Sequence, residues 1–518
     1  MPKELQPALG PASNISKASP VALQRGFLEL SSIPPVLRPV VRAYLFGYVS
    51  AVGPRILTLV LQRLTRRKRR RLSQGHDTDT STFRQSALYI LKTGFDVKRF
   101  PTFCAVLAGG STLLQVCTTL ARAIRSDDKQ QGPLKAVINK FAASLSQDAR
   151  KRFARWLSTF ISSWVALKLL HSASSPAYSR WTTKKDDGQE GEPRLVQLGG
   201  RTLDLTLFTA TRAVDVIVGE LWSQHRARRK AAHRWTRTEQ FVTGMIDPAV
   251  FSVSCAFIMW SWFYYPNNLP PSYNKWITSA ASVDLRLIEA LRRCKFNELR
   301  YGEDTGAAPL LGSMCVDHNM PYEWGDPEKA IPFPCEIVHM GCGSSCEYHA
   351  LSRLVRSWKW SMYTYLPLAL AFKLRKPTQK NIVFAFLSAA RSSAFLGTFI
   401  MLFYYGVCLG RTRVGPHIIG KDVSSRQKID GGVCVGTGCF LCGWSVLIET
   451  ASRRKDMALF VAPRALATVV PRKYPIEKQW RESMIFAASA AVVMTCVLEN
   501  PKRVRGVLGG LLNMIMKT

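Results

Sequence analysis

The run Cys335-Glu-Ile-Val-His339-Met-Gly-Cys342-Gly-Ser-Ser-Cys346-Glu-Tyr-His349 holds the densest set of chemically able side chains in the chain, with Cys315 and His318 just upstream. Thiolates and an imidazole at such short spacings can surround zinc with soft ligands, and Cys335, His339, Cys342 and Cys346 are the expected set. The spacing fits no standard zinc finger, and no Cys-x-x-Cys pair accompanies it. A disulfide, or reduced cysteines in a packed cap at a membrane surface, therefore stand beside structural zinc as readings. Cys439-Phe-Leu-Cys442 has a redox spacing, but together with Cys434 it lies in an uncharged run. Small side chains packed between membrane helices are the better reading, as they are for Gly406-x-x-x-Gly410, Gly432-x-x-x-Gly436 and Gly506-x-x-x-Gly510.

A second candidate set is charged. Arg212 and Asp215 stand three residues apart, so on a helix they share a face and can pair. Arg464 stands where Arg212 does in a related segment, with Ala467 in place of the aspartate. Ionisable groups at membrane depth face a polar cavity or a partner, so Arg212, Asp215 and Arg464 are expected to line a polar path. The alternative is a helix at the interface with its arginines among headgroups. The chain has no Gly-x-Ser-x-Gly, phosphate loop, His-Glu-x-x-His or dinucleotide fingerprint, and it is expected not to be an enzyme.

These residues need elements to hold them. Residues 102–121, 248–265, 392–410, 431–448 and 483–498 carry no charged side chain. Runs of about 18 or more such residues are candidates for membrane spans. The segments 43–62, 156–167 and 361–372 add blurred candidates with charges inside or at their edges. A mean hydropathy near zero hides this segregation. Basic residues exceed acidic ones, 71 to 35. They cluster at Arg63–Arg71, Arg226–Arg237 and Arg453–Lys455, next to apolar segments. Topology control or anionic lipid headgroups explain this better than nucleic acid, which is not an expected partner. The proline-rich first 35 residues read as a disordered tail, with an Asn14 glycosylation sequon by pattern. Residues 72–86 and 173–200 read as polar loops, and Ser282–Phe296 as an amphipathic helix with Leu285, Leu287, Ile288 and Leu291 on its apolar face.

The segments also repeat. Residues 201–218 align without gaps on 453–470, with eight of eighteen positions identical, including two arginines and an aspartate. Phe251, Ser254, Ala256 and Pro266 then match Phe486, Ser489, Ala491 and Pro501. The expected fold is an all-α, multi-pass integral membrane bundle made of two tandem related repeats of about five hydrophobic segments each. Its parts are a tail (1–35), a first repeat (36–280), a connector with the cysteine/histidine block (281–350) and a second repeat (351–518). The 203–222 and 455–472 helices are expected at equivalent places in two superposable bundles.

Cys335-x10-Cys346 followed by Tyr365-Leu-Pro367-Leu368 resembles the cysteine-rich domain of the transmembrane protein 135 family. Leu269-Pro-Pro271-Ser-Tyr273-Asn-Lys275-Trp276 is similar to a second element of that family. Here, however, the cysteine-rich block follows a full copy instead of preceding it. The resemblance implies a peroxisomal or mitochondrial multi-pass protein of lipid homeostasis and organelle dynamics, distantly similar to import-translocase channel subunits and peroxisomal membrane proteins. Two functions fit: a transporter or channel-like protein for lipids or metabolites, and a structural adaptor recruiting organelle-division or import proteins. The expected partners are membrane lipids, including anionic headgroups.

Overall fold

The computed structural model describes residues 33–70, 83–124, 146–173, 175–182, 185–186, 189–190, 194–373 and 378–516. The expected tail, its Asn14 sequon and most of the 72–86 loop lie outside them, as do the side chains of most of the Arg63–Arg71 cluster. The described chain is mostly helical. In order the helices are α1 (Arg38–Arg70), α2 (Phe83–Thr93), α3 (Phe100–Ile124), α4 (Gln147–His171), α5 (Leu203–Ala231), α6 (Arg237–Tyr264), α7 (Pro271–Ala281), α8 (Leu285–Lys295), α9 (Ala308–Asp317), α10 (Cys335–Val338), α11 (Cys346–Lys373), α12 (Gln379–Cys408), α13 (Val414–Ile418), α14 (Val423–Lys428), α15 (Cys434–Cys442), α16 (Ala451–Val469), α17 (Gln479–Glu499) and α18 (Gly506–Met516). Single π-helical turns, Leu409–Arg413 and Ile429–Val433, join α12 to α13 and α14 to α15.

Among the described residues, five helical stretches are long and apolar enough to cross a membrane: Arg38–Arg63, Arg237–Tyr264, Gln379–Ile418, Val423–Ile448 and Ile476–Glu499. Four of them contain runs read from the sequence as uncharged. The first is the blurred 43–62 segment, which is long and apolar enough despite Arg55 and Pro54. The 102–121 run lies on α3, whose Phe100–Leu113 part is a shorter apolar helix.

The chain divides into two compact units. One takes the described part of Met1–Pro176 with Ser483–Val504 and Leu508–Thr518; the other takes Ala177–Glu482 with Arg505–Val507. This division departs from the expected boundaries at 280 and 350. The last long helix, α17, returns to the N-terminal helices, where Phe486 meets Phe103 of α3 at 5.8 Å and Glu499 pairs with Arg152 of α4 at 3.1 Å. Its aligned counterpart α6 packs instead with the later helices, Phe251 meeting Phe395 of α12 at 5.8 Å. The aligned helices α5 and α16 lie against each other within the second unit. Consecutive segments thus do not make up the compact units.

In the second unit, α12 and α15 run antiparallel in close contact. A Cβ on Gly406 would come within 2.8 Å of the Gly438 Cα, and one on Gly410 within 3.0 Å of the Cys434 Cα. The glycine pairs at 432/436 and 506/510 make no comparable approach along their full length, since Gly436 and Gly510 have room. Cys434, Cys439 and Cys442 are buried free thiols in this packing. Helix α6 crosses the same pair, with Ser252 against Gly443 and Trp260 against Gly432 and Gly436. The uncharged runs 248–265, 392–410 and 431–448 therefore lie side by side. At 1.5 Å per residue each is about 27–29 Å long, close to the ~30 Å hydrocarbon core of a bilayer.

The 281–350 connector is a packed cap. Leu287, Ile288 and Leu291 of α8 join Leu311, Met314 and Cys315 of α9 and Ile337 of α10 in one core. Leu285, expected on that face, is the first residue of α8 and is 64% exposed, while Leu287 and Ile288 of the same turn are buried. Part of the 173–200 stretch, read as a loop, forms antiparallel strands: β1 (Ser179–Thr182) pairs with β4 (Arg194–Gly199), which pairs with β5 (Tyr474–Pro475), and β2 (Lys185–Asp186) pairs with β3 (Gln189–Glu190). Strands this short give no readable alternation in the sequence.

Asp284 starts α8, accepting a hydrogen bond from the Arg286 amide at 2.9 Å and pairing with the Arg286 guanidinium. The guanidinium and that amide hold its carboxyl below the usual carboxylate range, against the opposing effect of burial. The stabilisation is thus present above the unfolded-state pKa of ~3.9 and is lost as pH falls through the folded one. Asp284→Ala should lower stability by about 1 kcal/mol near neutral pH. Thermal unfolding of the purified protein should show the deficit shrinking as the pH is taken below 4.

Candidate functional site

Two chemically distinct ends bracket the shared uncharged level of α6, α12 and α15. At the cap end, Arg411 follows the 392–410 run and Asp430 precedes the 431–448 run. Each sits on a π-helical turn, which inserts one residue and re-aims the side chain. The two meet in a bidentate pair, with Arg411 Nε to Asp430 Oδ1 at 2.7 Å and Nη2 to Oδ2 at 3.0 Å. Both side chains are nearly fully buried, at 3% and 1% exposure. The Tyr301 hydroxyl, from the cap, donates to the same carboxylate. Burial, with Asp430 adding, pushes the Tyr301 phenol well above its ordinary value.

The cysteine block folds onto this end. Cys335 and His339 lie four residues apart, at the start of α10 and just past its end, and so share a face. Met340, Gly341 and Gly343 have positive φ, and this left-handed turn brings Cys346, the first residue of α11, back to them. Ligand atoms of Cys335, His339 and Cys346 lie within 4.8 Å of one another, so the three are placed to hold a metal ion. The His339 Nδ1–H donates to the Gly343 carbonyl at 2.7 Å, which leaves Nε2 as the free ligand atom. Burial raises the Cys335 thiol to about 11, against the opposing Arg411. His349 stacks on His339 with ring centroids 4.6 Å apart. Burial first, then His339, Arg353 and Arg356, lower it to about 3, so it is neutral.

Cys342, expected among the ligands, is not in this group. The turn at Met340 and Gly341 directs its Sγ to the Ser352 hydroxyl, 3.5 Å away. The described cysteines all carry free thiols. Cys315 is buried in the core of α9, and His318 packs near Gly341.

At the opposite end, α11, α12 and α16 line an open cavity of about 430 Å³. Leu368, Ala369, Phe395 and Met457 give it apolar walls, while Ser388, Ser392, Glu449, Arg453 and Asp456 give it a charged floor. Arg453 was read from sequence as part of a basic cluster set by topology or headgroups. It instead reaches into this floor, donating to Ser388 Oγ at 2.6 Å, to Ser392 Oγ at 2.7 Å and to Glu449 Oε2 at 3.4 Å. Glu449 is buried and also accepts from Ser392 at 2.7 Å. Asp456 has one buried carboxylate oxygen without a hydrogen-bond partner.

Arg212 and Asp215 lie beside this floor but do not pair as expected. Asp215 is bonded by Arg505, whose Nε lies 3.1 Å from its Oδ1, and Arg505 also reaches Asp247 at 3.2 Å. Arg212 is buried and donates to the Arg505 carbonyl at 3.2 Å. Burial holds its guanidinium below the usual value, with Asp215 and Asp456 opposing. Arg464 is not brought to this cluster. It lies over the Phe460 ring at 3.6 Å and bonds the Phe460 carbonyl, two turns further along α16. The Arg411–Asp430 pair and the Glu449–Arg453 floor were both missed from sequence. The available signal was position: Arg411 and Asp430 flank the facing ends of the 392–410 and 431–448 runs, and Glu449 and Arg453 follow the 431–448 run four residues apart.

Comparison with known proteins finds no matching family model, no matching curated protein and no matching solved structure.

Proposed function

We propose that this chain is a membrane protein that binds and moves lipid-like amphiphiles, and that its cavity between α11, α12 and α16 is the binding site. The observation that carries this reading is the arrangement of apolar walls over a charged floor at the end of the membrane-depth level. Its volume is in the usual range for a ligand site. Arg453 suits a phosphate, and Glu449 and Asp456 suit an ammonium group, so a zwitterionic phospholipid matches both ends. A peroxisomal or mitochondrial membrane, with a role in lipid homeostasis there, follows from the family resemblance. We further infer that the cap is a structural metal centre. Two thiolates and an imidazole favour zinc.

The test uses a photoactivatable phosphatidylcholine added to the purified protein. Cross-links should fall on peptides containing Leu368 and Phe395. Arg453→Ala and Phe395→Arg should each reduce labelling several-fold without changing the elution profile. Transfer of the same lipid between vesicles should fall in parallel. Labelling spread evenly over all apolar helices would overturn the reading. The second reading, an adaptor for organelle-division or import proteins, is favoured by the mostly exposed basic stretch from Arg226 to Arg237, which runs from the last turns of α5 to the start of α6. It gains if that stretch, and not the cavity, governs function when each is altered.

A further inference from the structure

We propose that Cys408, on the membrane-crossing helix α12, is the fourth ligand of a Cys3His zinc site with Cys335, His339 and Cys346. The proposal rests on reading the cap as a zinc centre and adds what that reading lacks, a closed coordination shell. Structural zinc is almost always four-coordinate, and three ligands alone leave a position open. The Cys408 Sγ lies 3.4 Å from His339 Nε2, the nitrogen left free by the Nδ1 bond to Gly343. The ligand atoms of Cys335, His339 and Cys346 lie within 4.8 Å of one another. In a tetrahedral site with zinc–sulfur bonds of about 2.3 Å, ligand atoms stand about 3.5–3.8 Å apart; Cys408 already meets His339 at close to that distance, and its Sγ would have to turn towards Cys335 and Cys346 to complete the shell. Cys408 and His339 are buried, and Cys335 and Cys346 are half-buried.

The location gives the site a purpose. Cys408 is the third residue from the end of the uncharged 392–410 run, where α12 leaves the membrane-depth level. Cys335, His339 and Cys346 belong to the cap. Zinc held by all four would fasten the cap to the end of the span, beside the Arg411–Asp430 pair. Binding releases three thiol protons and leaves the site with one net negative charge.

Metal analysis and X-ray absorption of the full-length protein, purified in detergent without added chelator, test this. The wild type should hold one zinc per chain, with three sulfurs and one nitrogen. Cys335→Ser should abolish zinc, Cys342→Ser should leave it unchanged, and Cys408→Ser should weaken its retention against a chelator roughly tenfold or more. Cys408→His should restore retention with two sulfurs and two nitrogens, which separates a ligand role from a packing role. Full zinc retention and an unchanged spectrum in Cys408→Ser overturn the fourth ligand while leaving the cap site standing. Two sulfurs and two nitrogens in the wild type overturn it in favour of His349. No zinc in the wild type overturns both the ligand and the zinc centre.

Discussion

Arg411→Ala is expected to be among the most damaging single substitutions in the described chain. It leaves Asp430, 1% exposed, as a carboxylate held only by Tyr301 among the hydrogen bonds described. Breaking a buried pair from one side costs about 3–5 kcal/mol, because the remaining charge is neither solvated nor matched. Asp430→Ala should cost a similar amount, since it strands a guanidinium that is just as buried. The double change Arg411→Met/Asp430→Leu removes both charges and should cost less than either single change. Tyr301→Phe removes one hydrogen bond to a charged group and should cost about 1.5–3 kcal/mol. The reference is Arg413→Ala, two residues along, whose pair with Glu347 is more than half exposed on both sides. An exposed pair of this kind contributes little to stability, because water and salt screen it. Thermal unfolding in detergent, followed by tryptophan fluorescence, measures all five variants. If Arg411→Ala is no worse than Arg413→Ala, the pair is solvated in the working protein and does not seal the cap end.

What the sequence disclosed and what it hid divide along a physical line. Composition is local, so the uncharged runs at 248–265, 392–410 and 431–448 mark their level without any tertiary information. Short spacing is also local, and it marked Cys335, His339 and Cys346 as candidate metal ligands. Cys342 stands apart because Met340 and Gly341 adopt left-handed backbone, which spacing alone does not show. Cys408 was out of reach because it meets His339 across 69 residues of sequence. The same limit applies to Arg212 and Asp215. Their spacing permits a pair, but the choice of partner was made by Arg505, 290 residues from Asp215. The alignment of 201–218 with 453–470 was legible as a match of residues. Where the aligned helices pack was not, because the packing of α17 with α3 depends on where the chain returns and not on what α17 resembles.

Arg505 is the second substitution expected to have a large effect, and it tests that choice of partner. One guanidinium holds two carboxylates, Asp215 and Asp247, whose side chains are 9% and 25% exposed. Burial alone would depress Arg505, but Asp215 and Asp247 outweigh it and raise its affinity for the proton. Arg505→Ala removes the shared cation and leaves the two carboxylates without it. Arg505 is itself 35% exposed, so water reaches the site and the cost falls to about 2–3 kcal/mol, below that of a fully buried pair. Asp215→Ala should cost less than Arg505→Ala, because Arg505 keeps Asp247. Pairing between Arg212 and Asp215 predicts a different order: Arg212→Ala/Asp215→Ala would then be milder than Asp215→Ala alone. With Arg505 as the partner, the milder double change is Asp215→Ala/Arg505→Ala, and adding Arg212→Ala to Asp215→Ala gives no relief. The backbone at Gly506, next in the chain, fixes this geometry. It has φ +76°, and a Cβ there would come within 2.4 Å of the Asp456 carboxylate on the cavity floor. Gly506→Ala should therefore displace Asp456 and loosen Arg505 together, lowering stability and phospholipid labelling at once. If Gly506→Ala changes stability but leaves labelling intact, the ion cluster supports the fold without shaping the cavity. Arg464→Ala, remote from both, should change neither.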